Sequence, residues 1–254
     1  MTATTKPIFR SFAIWGLQLV GSLILLGVSY WWLTWPDEET WQVVASLCVA
    51  LVVVAAALWL ERTVFAAFHH DARAGYISPA SLLAFTVWVA IIAVVEFMVA
   101  IFNSEVERIA VRLAQIAHLP PRATVAGLDW AGWGAFWVIV PALFLPFASL
   151  AAREGFAAFR RSRASIALAT LRNPRYWGGL LIALGIGAYI PYRLINWIPE
   201  QRSLRAELWS AGLRLSAAYI LAVTAVVFLS WCIARTMPGA EAQPAVEESA
   251  SVSA

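Results

Sequence analysis

Residues 172–200 read RNPRYWGGLLIALGIGAYIPYRLINWIPE, and this stretch decides the fold. Asn173-Pro174 is a helix cap followed by a proline at the first helical position, where its missing N–H costs nothing. From Trp177 onward the run is apolar for the roughly 20 residues that a helix needs to cross a bilayer. Arg193 interrupts it near the far end. The stretch also echoes the start of the chain. Aligned on Trp15 and Trp177, WGLQLVGSLILLGVSYWWLTW and WGGLLIALGIGAYIPYRLINW share Gly16/Gly178, Leu19/Leu181, Ile24/Ile186, Tyr30/Tyr192 and Trp35/Trp197. The reading is an all-α, polytopic membrane bundle built of helical hairpins.

Composition carries the same message. The chain is 61% hydrophobic and 13% charged, with 14 tryptophans, against about 45–50% apolar and about 25% charged for a soluble domain. Six apolar runs of membrane length are expected, over about 12–33, 41–60, 78–102, 129–151, 174–197 and 208–233. The first is too long for a signal-peptide h-region of about 7–15 residues and is followed by no small-x-small cleavage site, so it reads as a span. Cys48 and Cys232 lie inside apolar runs and imply no disulfide framework. Lys6 is the only lysine in an alanine-rich, arginine-using chain, the coding bias of a GC-rich bacterium. Localisation to a bacterial inner membrane is the expectation.

Taken in order, Tyr30, Trp31, Trp32 and Trp35 mark a headgroup boundary, where amphipathic rings concentrate. Pro36-Asp-Glu-Glu-Thr40 is an acidic turn whose carboxylates suit the positive end of the second helix. Glu61 and Arg62 are read as the end of that helix. Ser78-Pro79 opens the third. Ser104-Glu-Val-Glu107 reads as a capping box, so a separate amphipathic helix over 104–119 is expected, lying in the outer interface. Pro141 and Pro146 predict a kink in the fourth run. Phe65-Ala-Ala-Phe68 and Phe156-Ala-Ala-Phe159 recur after the second and fourth runs, a repeat signal at matched positions. Residues 1–236 are one transmembrane domain, with hairpin repeats at 7–73, 79–163 and 174–236, and 237–254 is a disordered cytoplasmic tail.

Orientation follows from the cations. With both termini inside, 11 of the 18 Lys/Arg face the cytoplasm and five face outward, while Arg193 and Arg214 fall within spans. Six spans, N-in and C-in, satisfy the positive-inside rule. The cytoplasmic excess centres on Arg160, Arg161, Arg163, Arg172 and Arg175. These set topology, and they also suit anionic headgroups, each contributing about 1 kcal/mol near the surface. Phe156, Phe159, Ile166, Leu168 and Leu171 would anchor that connection as an interfacial helix. Cations set against spans argue against nucleic acid.

Ionisable groups inside a membrane are costly and mark functional candidates. Glu96, Arg193 and Arg214 qualify. Counted at 1.5 Å per residue from the cytoplasmic ends, they come ~26, ~24 and ~27 Å along their helices. Equal counts suggest one level and a cluster, either an ion pair that fixes packing or an outward-facing anion site. Arginines near an outer interface also snorkel to headgroups. Gly179, Ala183 and Gly187 form a small face at spacing four, fit for close helix contact. His69-His70-Asp71 and the lone His118 lack the spacing of a zinc pair, so no metal is expected. No Gly-x-Ser-x-Gly elbow, Walker loop or Cys-x-x-Cys occurs, and no cofactor is implied.

Two functions stay open from sequence: a non-enzymatic accessory or assembly subunit packing with a membrane partner or with copies of itself, or a small transporter or lipid-handling protein with an anion site at Glu96, Arg193 and Arg214.

Overall fold

A computed structural model describes residues 5–35, 38–68, 78–197 and 203–237. Among these the regular structure is helical: α1 (Thr5–Leu33), α2 (Thr40–Ala67), α3 (Pro79–Ser104), α4 (Val106–Ala117), α5 (Pro121–Gly134), α6 (Val140–Glu154), α7 (Arg161–Leu171), α8 (Pro174–Leu184), α9 (Ile190–Asn196) and α10 (Leu204–Thr236). A π-helical turn, Ala135–Ile139, joins α5 to α6, and a second, Gly185–Tyr189, joins α8 to α9. Counting each pair as one, six helices are long and apolar enough to cross a membrane.

The two π turns have one physical cause. Each is followed by an apolar residue and a proline, in AFWVIVP (135–141) and GIGAYIP (185–191). Proline supplies no N–H, and its ring collides with the preceding α-helical turn. Widening that turn by one residue makes room. Val140 N–H then reaches the Ala135 carbonyl and Ile190 N–H the Gly185 carbonyl. The proline effect near Pro141 thus takes the form of a π turn. Pro146 acts differently, inside α6. It withholds the donor that the Ala142 carbonyl would have received one turn earlier. The Tyr176 hydroxyl, fully buried, donates to that carbonyl at 2.7 Å.

Packing is densest around α6 and α10. α6 touches α2, α3, α7 and α10, and α10 touches α1, α2, α6, α8 and α9. The main core joins Phe85, Leu150, Tyr176 and Ile233 through the small residues Ala84, Ala148, Ala151 and Ala152, which let helix backbones approach. By contrast, only 6% of the apolar stretch of α2 is buried, against 44% for the fourth and sixth spans. α1, α2 and α3 thus turn most of their apolar surface outward. Each Phe-Ala-Ala-Phe tetrad docks on α3. Phe65 sits 5.9 Å from Phe85, and Phe159 stacks 5.4 Å from Trp88, one turn further along.

Several expectations need correction. α2 runs through Glu61 and Arg62 to Ala67, because the apolar positions Val64, Phe65 and Ala66 are buried in the bundle beyond those charges. The capping box at Ser104 does not form: the Ser104 hydroxyl donates to the Ile101 carbonyl at 2.7 Å, and α3 and α4 are split by Glu105 alone. Reciprocal capping occurs instead at α2, where Gln42 Oε1 accepts from the N–H groups of Glu38 and Glu39, at 2.9 Å each. α5 begins at Pro121, eight residues before the expected start at Asp129. Of the five anchors expected in the connection that contains α7, Ile166 and Leu171 pack against the core, whereas Phe156, Phe159 and Leu168 stay exposed. The Trp15/Trp177 echo stops short of the backbone: α1 is continuous, whereas α8 and α9 are broken by the Gly185–Tyr189 turn. His69-His70-Asp71 and the tail beyond Met237 lie outside the described residues.

Candidate functional site

Glu96 stands on α3, which shares its contacts with α2, α4, α5, α6 and the turns at 135–139 and 155–159. Two pairings fix its register against the fourth span. Trp88 stacks on Phe147 at 5.0 Å, and the Asn103 side chain fills the space where a Cβ at Gly132 would sit. Glu96 therefore lies across from the 135–139 π turn. It is half-buried, and its Oε2 is shut away with no hydrogen-bond partner. Among the described residues, no ion pair joins it to either arginine.

The arginines lie elsewhere. Arg214, on α10, donates through Nε to the Ser210 carbonyl at 3.2 Å and through its terminal nitrogen to the Trp197 carbonyl. The second bond covers an orphan acceptor at the end of α9, and a cation there also suits the negative end of the helix dipole. Arg193 is exposed in the last turn of α9 and lines an open depression of about 550 Å³ with Tyr189, Ile190, Tyr192, Leu194, Asn196 and Trp197. The structure thus brings Arg193 and Arg214 to one helix end and leaves Glu96 apart. Equal counts along the helices do not translate into an ion pair between Glu96 and either arginine among the described residues. The Tyr176 hydroxyl meets Ala142, one turn from the segment opposite Glu96. Arg193 lies 17 residues beyond Tyr176, roughly 25 Å farther along the span.

A polar seam that the sequence reading missed joins α1, α2 and α10. Trp15, Gln18 and Ser22 fall on one face of α1, at helical spacing. Trp15 Nε1 donates to Thr224 Oγ1 at 3.1 Å, and Gln18 Nε2 donates to Glu61 Oε1 at 2.6 Å. Ser22 Oγ lies 2.7 Å from the Tyr219 hydroxyl, which donates to the Leu19 carbonyl at 2.6 Å. Gln18 is 3% exposed, as is Arg62. Reading Glu61 as the end of a span hid the seam. The available signal was polar residues recurring three and four apart within an apolar run.

The small face on the fifth span packs against α10. A Cβ at Gly179 would lie 2.8 Å from Cys232 Sγ, one at Gly187 would lie 2.5 Å from Ala225 Cβ, and Ala183 between them is buried. At the other end of α8, Asn173 Oδ1 accepts from the Arg175 N–H at 3.0 Å, closing the helix cap. Arg160, Arg161, Arg163, Arg172 and Arg175 are all exposed. Arg163 pairs with Glu154 at 3.2 Å, and Arg153 approaches the same carboxylate at 3.6 Å. Among the described residues, no three His, Cys, Asp or Glu side chains converge as metal ligands. The chain matches no protein-family profile, no curated protein and no solved structure.

Proposed function

We propose that this protein is a non-enzymatic, multi-pass integral protein of a bacterial inner membrane, an accessory or assembly subunit. Its six spans form three hairpins, with both termini in the cytoplasm. Arg160, Arg161, Arg163, Arg172 and Arg175 then face anionic headgroups of the inner leaflet. One observation carries the reading. Polar groups within the long helices join helix to helix, Gln18 to Glu61, Trp15 to Thr224 and Arg214 to the end of α9. The broad apolar surface left outward on α1 to α3 suits lipid and a membrane partner or second copy.

The test is the mass of the complex released from native membranes in mild detergent. A self-associated or partner-bound species supports an accessory role. A monomer that moves an anion across proteoliposomes supports the second reading, a small transporter or lipid-handling protein. That reading is favoured by Arg193, exposed in its depression with no ion pair among the described residues. Its site narrows to Arg193 with Arg214 nearby, since Glu96 packs elsewhere.

A further inference from the structure

We propose that the depression around Arg193 binds the phosphate of an anionic glycerophospholipid in the leaflet at the far end of α9. The inference rests on the reading that the six long helices cross a bilayer.

Arg193 and Arg214 bring two cations to the same helix end. Arg214 covers the Trp197 carbonyl, so that acceptor is already occupied. Arg193 is exposed and makes no ion pair among the described residues. Its planar fork suits two phosphate oxygens.

The surroundings favour a lipid over a free ion. Ile190 and Arg193 share one face of α9, with Tyr189 in the π turn before it and Trp197 just past its end. Along the helix axis the lining runs from apolar Ile190, 42% exposed, past the cation to Asn196 and Trp197 at the helix end. This is the order of an acyl chain, a phosphate and a headgroup. Tyr189, Tyr192 and Trp197 are 59%, 64% and 60% exposed, the ring types that collect at headgroup depth. The Asn196 amide donates to the Tyr192 carbonyl at 2.8 Å, which holds the side chain in place. Its own carbonyl oxygen remains to accept from a headgroup hydroxyl, as in phosphatidylglycerol.

The experiment counts lipids by native mass spectrometry after the full chain is placed in nanodiscs of phosphatidylglycerol or of phosphatidylcholine. Wild type should retain one more phosphatidylglycerol than Arg193→Gln. Affinity for that lipid should fall by about tenfold or more in the variant, the loss of at least one charge-assisted hydrogen bond. Arg193→Lys should keep part of it, and Arg108→Gln, at a cation already paired with Glu105 at 3.0 Å, should leave it unchanged. Inorganic phosphate alone should neither stabilise the protein nor displace the lipid. Equal retention by Arg193→Gln, or stabilisation by inorganic phosphate matching that by lipid, would overturn the proposal while leaving the membrane reading intact. A chain that does not enter nanodiscs would overturn both.

Discussion

Gln18 and Glu61 meet where α1 crosses α2, and their contact shows how an apolar bundle uses its few polar atoms. The amide donates to the carboxyl at 2.6 Å and is itself almost wholly buried. Glu61→Ala therefore strands a buried donor, which costs about 1–3 kcal/mol. Thermal unfolding in detergent should show this as a clear drop, with Glu61→Gln, which keeps an acceptor, nearer wild type. Glu96 is the opposite case. Its buried oxygen has no partner, and an unpaired polar group held away from water destabilises. Glu96→Gln should leave the unfolding temperature unchanged or raise it. A fall of several degrees would reveal a partner and restore the ion pair suggested by counting along the helices. Tyr176 supports a sharper test. Its hydroxyl serves a carbonyl that Pro146 leaves without a helical donor. Tyr176→Phe should cost about 1–3 kcal/mol alone. It should cost less in a Pro146→Ala background, where the residue 146 N–H returns to Ala142. Equal costs in the two backgrounds would show that the proline is not the reason for the bond.

Among the elements, the contact of the fifth span with α10 is the most exposed to test. Gly187 leaves room for Ala225, and an added Cβ would approach within 2.5 Å. Gly187→Leu overpacks that contact, by about 1–3 kcal/mol or more. Gly178 has open space around its missing Cβ. Gly178→Ala should be neutral or stabilising by up to about 1 kcal/mol, the helix-propensity gain. Comparing the two unfolding temperatures checks the assignment of faces. This small face could be read from spacing alone, as could the cap at Asn173 and the six apolar runs. The π turns could not. Pro141 and Pro191 announce a disturbance, but whether a helix kinks, ends or widens depends on the neighbours that take up the freed groups. Glu61 and Arg62 misled for a related reason. A charge pair after a long apolar run resembles a stop, and only packing against α1 and α10 shows that the helix continues.

At the scale of the whole molecule, local and global signals differ in kind. Apolar length fixes the number of long helices, since each must satisfy its own backbone in hydrocarbon. Which helices touch, and therefore which charges meet, depends on where each helix starts and how it crosses its neighbours. Glu96 and the arginines share a count along the chain without sharing a neighbourhood. Orientation rests on the cations in the connection that contains α7, exposed on its surface, and the proposed arrangement depends on it. Single cysteines introduced at Arg161 and at Leu119, in a chain with Cys48 and Cys232 replaced, test it with a membrane-impermeant thiol reagent on intact cells. The account predicts labelling at 119 in intact cells and at 161 only after the membrane is opened. Labelling at 161 in intact cells would contradict it.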